Sequence, residues 1–139
     1  MIRLCCVALS VAAGIAAGHV NADVVPHGPP FAFGGVARHG PYTVSIDTTG
    51  LVRATGNGGL SRLGVSHLDA SEIAALNRIA RAARFGSMPA LTQCPAAAPN
   101  STTWIRIGVK KVTVRGACLP AYQRVFKAFV RAVKFFSSG

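Results

Sequence analysis

The chain has 139 residues; half are hydrophobic, 14% are charged, and fifteen Lys and Arg against four Asp and Glu give a formal net charge of +11. That length holds one small domain once any targeting segment is set aside. Four carboxylates leave little material for acid–base chemistry, and the positive surface attracts polyanions, anionic lipid or acidic proteins.

The first residues, "MIRLCCVALSVAAGIAAGHVNADVV", have the form of a secretory signal peptide. Arg3 supplies the positive start, Leu4 to Gly18 an uncharged apolar run, and Val20-Asn21-Ala22 a cleavage site with the cut after Ala22. The apolar run is shorter than the roughly 20 residues of a spanning helix, and no later segment is long and apolar enough. Residues 1–22 are therefore expected to be removed, and the mature chain is expected to be secreted, periplasmic or held at the cell envelope. Residues 23–41, "DVVPHGPPFAFGGVARHGP", read as a Pro/Gly-rich arm. Pro26, Pro29 and Pro30 withhold donors and favour extended chain, while "FAFGGVA" is expected to form a short edge strand with a bulge at Gly34-Gly35.

A single α+β domain is expected over residues 42–139. "YTVSIDTTGLVRAT" is a hairpin signal: Tyr42, Val44 and Ile46 share one face, and Asp47 to Gly50 supply the turn. "LSRLGVSHL" is a candidate irregular strand. "LDASEIAALNRIARAARFG" is the clearest helix. Asp69 caps it, Glu72 completes a capping box, Ile73, Leu76, Ile79, Ala80 and Ala83 form its apolar stripe, and Gly86 is expected to end it. "SMPALTQCPAAAPN" is read as a loop. "STTWIRI" and "VKKVTVRG" form a second hairpin, and "PAYQRVFKAFVRAVKFF" a second helix. In that helix Val125, Phe126, Phe129, Val130 and Val133 oppose Arg124, Lys127, Arg131 and Lys134. Two hairpins and two one-sided helices predict an antiparallel sheet of about four or five strands with both helices on one face.

Without Cys5 and Cys6, two cysteines remain in an exported chain, which predicts a Cys94–Cys118 disulfide. No histidine lies between them to complete a metal site, and the spacing is not that of a C-x-x-C redox pair. Closing a loop of this length contributes roughly 3–4 kcal/mol on the chain-entropy estimate.

Catalytic constellations are sparse. Asp69 and Glu72 are used at the helix start, Asp47 sits in a turn, and Ser66 and His67, as neighbours on an extended chain, point apart. His27, His39 and His67 are scattered, "GNGG" is a turn, and Asn100 in "PNSTT" reads as a polar turn. No cofactor or metal is expected, and an unrecognised hydrolase is the weakest of the three functional readings. The remaining candidate is a basic face. Trp104, Arg106, Lys110, Lys111 and Arg115 are placed together on the second hairpin, where an aromatic among cations can stack on a ligand or bind anions. No nucleic-acid-binding motif accompanies the charge, so nucleic acid is not the expected partner.

The order of elements, with "LDASEIAALNRIARAARFGSMPA" followed by "TTWIRIGVKKVTVRGAC" and a last helix, resembles a class of small exported bacterial domains of unknown function. They share a disulfide-closed V-x-V-x-G-x-C strand. In element order and in the helix-to-"FGSMP" stretch, the chain is more remotely similar to emfourin-type inhibitors of thermolysin-like metalloproteases. The expectation is thus a monomeric, exported, non-enzymatic module that binds another extracytoplasmic protein. "PPFAFGG" and "ATGNGG" are the candidate contact segments. The alternative is a basic module resting on an anionic envelope polymer or lipid.

Overall fold

The structure is a computed structural model that describes residues 30–37, 39–56 and 63–135. The expected signal peptide lies outside these residues, as does most of "GNGG". Six strands and two helices follow in chain order: β1 Phe31–Ala37, β2 Gly40–Ile46, β3 Val52–Thr55, α1 Ala70–Ala82, β4 Leu91–Gln93, β5 Thr102–Ile107, β6 Lys110–Arg115 and α2 Pro120–Ala132. The fold is α+β, in one sheet of order β3-β2-β1-β5-β6-β4. The sheet is mixed, because β4 runs parallel to β6 and all other pairs are antiparallel. Both the strand number and the parallel pair depart from the expectation. The segment "LTQ" is too short to show a period of two, so it read as loop.

The larger correction concerns "FAFGGVA". It is neither an arm nor an edge: β1 is a central strand, pairing with β2 on one side and β5 on the other, and it joins the two hairpins into one sheet. The domain thus begins before residue 42. Register runs unbroken from Phe31↔Ile46 to Ala37↔Gly40, so no bulge forms at Gly34-Gly35. Those glycines serve close approach instead. A Cβ on Gly34 would collide with the Tyr42 carbonyl and lie 2.8 Å from the Trp104 ring, and one on Gly35 would lie 2.9 Å from the Thr102 carbonyl. A side chain at residue 34 would displace the Trp104 ring from its place over β1.

One face of the sheet makes the core. Phe31, Phe33, Val44, Ile46, Ile105, Ile107, Val112 and Val114 are buried against the helices. Phe129 of α2 meets Phe31 edge-on at 5.3 Å and Phe33 at 5.9 Å, and the Tyr122 hydroxyl donates to Thr103 Oγ1 at 3.1 Å. Burial holds the Tyr122 phenol well above its ordinary pKa, against the opposing pull of the Thr103 hydrogen bond. Along α2, Val125, Phe129 and Val133 are fully buried as expected, while Phe126 and Val130 are half-buried at the flank; Arg124, Lys127, Arg131 and Lys134 are exposed.

α1 begins as read. Asp69 accepts from the Glu72 N–H at 2.8 Å and the Glu72 carboxylate accepts from the Asp69 N–H at 2.8 Å. Its end differs. The helix stops at Ala82, Arg84 takes a left-handed φ of 52°, and a single 3₁₀ turn, Phe85–Ser87, buries Phe85. A sharp reversal fixed by burying Phe85 ends the helix before Gly86. Ile79, assigned to the apolar stripe, is 37% exposed at the open side of the groove between α1 and α2.

The predicted disulfide is present: Cys94 and Cys118 are bonded, with Cα atoms 5.6 Å apart. The Cys94 N–H donates to the Arg115 carbonyl at 2.9 Å, so the bridge pins the chain leaving β4 to the chain leaving β6. Gly116, at φ +95°, makes room, since a Cβ there would stand 2.7 Å from Cys94 Cβ. None of the described helices is long and apolar enough to cross a membrane.

Candidate functional site on the open face of the sheet

Period-two alternation sends every second residue to the face that the helices leave uncovered. Register then sets those residues in lines across the strands. Arg53 lies beside Ser45, Ser45 beside Ala32, Ala32 beside Arg106, and Arg106 beside Lys111. In the neighbouring line Thr55, Thr43, Gly34, Trp104, Thr113 and Leu91 follow one another. Arg115 stands one line further, beside Gln93 and Thr102. Arg53, Arg106 and Lys111 are exposed, as are Val36 and, at 69%, Leu91.

Trp104 lies over Gly34, and the Lys111 ammonium sits 4.7 Å from the centre of its ring, within cation–π range. Arg115 is half-buried. Its Nε is shut off from solvent and has no hydrogen-bond partner among the described residues. Of the five residues placed together from the sequence, four share this face. Lys110 does not: it opposes Ile107 at the hairpin end and shares the parity of Val112 and Val114. Two contributors were missed. Arg53 has the parity of Ser45, which was readable, but its alignment with Arg106 depends on β1 lying between the hairpins. Gly34 is legible as part of the site only after β5 is known to pair with β1.

No carboxylate among the described residues lies on these lines. Asp47 stands just past them on the β2–β3 turn, where it accepts from the Thr49 N–H at 2.8 Å, the Thr49 hydroxyl at 2.6 Å and the Leu51 N–H at 3.1 Å. Its pKa is held below the ordinary value first by the Thr49 hydrogen bonds and least by Arg53. Asp69 is lowered likewise, chiefly by its bond from the Glu72 N–H and then by the Ser71 hydroxyl.

The β2–β3 turn also gathers the residues that a hydrolase would need. His67 pairs with Leu51, and Ser66 offers its carbonyl to the Val52 N–H at 2.8 Å. The contacts they make are those of a turn clamp. The His67 Nε2–H donates to the Thr49 carbonyl at 2.8 Å, and the Asp47 carboxylate is occupied by Thr49 and Leu51. Among the described residues no hydrogen bond links Asp47 to His67 or His67 to the Ser66 hydroxyl, and no three His, Cys, Asp or Glu side chains cluster as a metal would require. The contact segments named from the sequence fare unevenly: "FAFGG" is interior to the sheet, whereas Ala54 and Thr55 close the edge strand β3. No protein family, curated protein or solved structure matches the chain.

Proposed function

We propose that the protein is an exported, non-enzymatic binding module that takes an acidic surface of another extracytoplasmic protein onto the open face of its sheet. The carrying observation is that face itself. Neither described helix covers it, it presents Arg106, Lys111 and Arg115 on the strands about Trp104 with Arg53 further along on β3, and it has no carboxylate on its lines among the described residues. Tryptophan and arginine dominate binding energy where proteins meet, and Leu91 and Val36 add apolar area to either side. The three described carboxylates each hold backbone N–H groups of a turn or cap, a structural use rather than a catalytic one. Export is supported by the disulfide, which persists in an oxidising compartment. The remote likeness to metalloprotease inhibitors makes an exported thermolysin-like protease the first partner to assay.

A second reading, attachment to an anionic envelope polymer or lipid, draws on the same cations. Capture from the exported proteome at two salt concentrations separates the two. A protein partner held through Trp104, Leu91 and Val36 is expected to remain at moderate ionic strength, and to be lost from the double variant Arg106→Glu/Lys111→Glu. Release of everything bound as salt rises, by wild type and variant alike, contradicts the protein-partner reading and favours the polymer.

A further inference from the structure

We infer that a cavity of about 350 Å³ between the flank of α2 and the stacked pair Tyr42 and Phe135 is a binding site for a small aromatic carboxylate. The site lies on the helix side of the sheet and does not depend on the reading of the open face. It starts from a shortfall in packing. Phe126 and Val130 belong to the apolar stripe of α2, yet both stay half-buried while Val125, Phe129 and Val133 are covered. Gly35 accounts for part of the gap. It has the parity of Phe31 and Phe33 but brings no side chain under α2, and the Tyr42 hydroxyl leans toward it, 3.4 Å from where a Cβ would stand. Phe135, just beyond α2, stacks on the Tyr42 ring with centroids 4.8 Å apart. Tyr42, Phe126, Val130 and Phe135 thus line a recess of three aromatic rings and an isopropyl group.

The rim sets the charge of the occupant. Lys127 and Arg131 stand there, one turn apart on α2 and exposed, and no carboxylate is among the described lining residues. Like charges at that spacing repel each other, and an anion between them removes the conflict. Glu72 lines the groove on the other side of Arg131, and its carboxylate accepts from the Asp69 N–H at 2.8 Å. Gln123 closes the remaining side of the recess, its amide N–H donating to the Gly116 carbonyl at 3.3 Å. Burial raises the Tyr42 phenol above its ordinary pKa, so it stays neutral and adds no negative charge. The volume is at the small end of the ~300–1,000 Å³ range of ligand pockets, which suits one ring system and not a polymer. A flat ring lies against the aromatic walls, and a carboxylate attached to it reaches Lys127 and Arg131.

Titration of the mature protein with naphthoate tests this, with the neutral naphthamide and the flexible octanoate as comparison probes. Naphthoate is expected to bind, naphthamide about tenfold more weakly and octanoate about threefold or more. The double variant Lys127→Gln/Arg131→Gln is expected to lose about tenfold or more in naphthoate affinity. Both residues are exposed, so the thermal midpoint stays put and the loss is one of binding. Chemical-shift mapping of the wild type locates the ligand without any substitution: changes are expected at Tyr42, Phe126 and Phe135 and none at Trp104. Arg106→Glu/Lys111→Glu, on the open face, is expected to bind naphthoate as wild type does. Equal binding of naphthamide overturns the carboxylate, and equal binding of octanoate overturns the aromatic ring. Shifts centred on Trp104, with binding lost in Arg106→Glu/Lys111→Glu, place the ligand on the open face and overturn the site, as does the absence of binding by every probe at millimolar concentration.

Discussion

Truncating Phe129 to Ala is expected to cost about 3–5 kcal/mol, the range for a buried Phe. The ring is fully buried between Phe31 and Phe33, so its removal opens a cavity where α2 meets the two central strands of the sheet. Against a total stability of order 5–15 kcal/mol, that is a large share. The thermal midpoint should fall by more than about 10 °C. Arg124→Ala, on the exposed side of the same helix, should stay within about 0.5 kcal/mol of wild type. The pair of variants decides how the charge of α2 is read. An unchanged midpoint for Phe129→Ala would mean that the Phe and Val residues do not hold the helix to the sheet, and would make α2 a cationic helix for a membrane surface.

Loss of the Cys94–Cys118 bond is expected to be comparably costly, about 2–5 kcal/mol for a small exported domain. The bridge closes the connection that carries β5 and β6, and fixes the parallel strand β4, which has only three residues and one neighbour. In native material both thiols should resist alkylation, and both should react after reduction. The reduced protein should melt well below the oxidised one. Two freely alkylated thiols in native protein, or a midpoint indifferent to reductant, would contradict the staple.

Legibility of the fold followed the strength of local pattern. The helix from Asp69 was readable because its capping box and apolar stripe are local and coincide in sequence. The hairpins 42–55 and 101–115 were readable because a turn separates two alternating runs. β1 was not, since three prolines and two adjacent glycines are the composition of an arm, and what makes Gly34 a strand residue is Trp104, seventy positions away. β4 was missed for want of length, and the end of α1 because burial of Phe85, a tertiary effect, chose the left-handed turn at Arg84. The candidate face is half legible for the same reason. Trp104, Arg106, Lys111 and Arg115 lie on one hairpin and share parity, so the sequence placed them together. Lys110 is adjacent to Lys111 in sequence but of opposite parity, so it lies on the other face. Arg53 joins the others only through a strand order that no local pattern carries.

The central claim is that partners meet the open face of the sheet and not its helices. Covalent footprinting of the protein with and without its captured partner tests this most directly, because the two faces carry separate reporters. Protection of Trp104, Lys111 and Leu91, with Arg124, Lys127 and Arg131 of α2 labelled as in the free protein, is the predicted result. Protection of the α2 residues with Trp104 and Lys111 unchanged would contradict it.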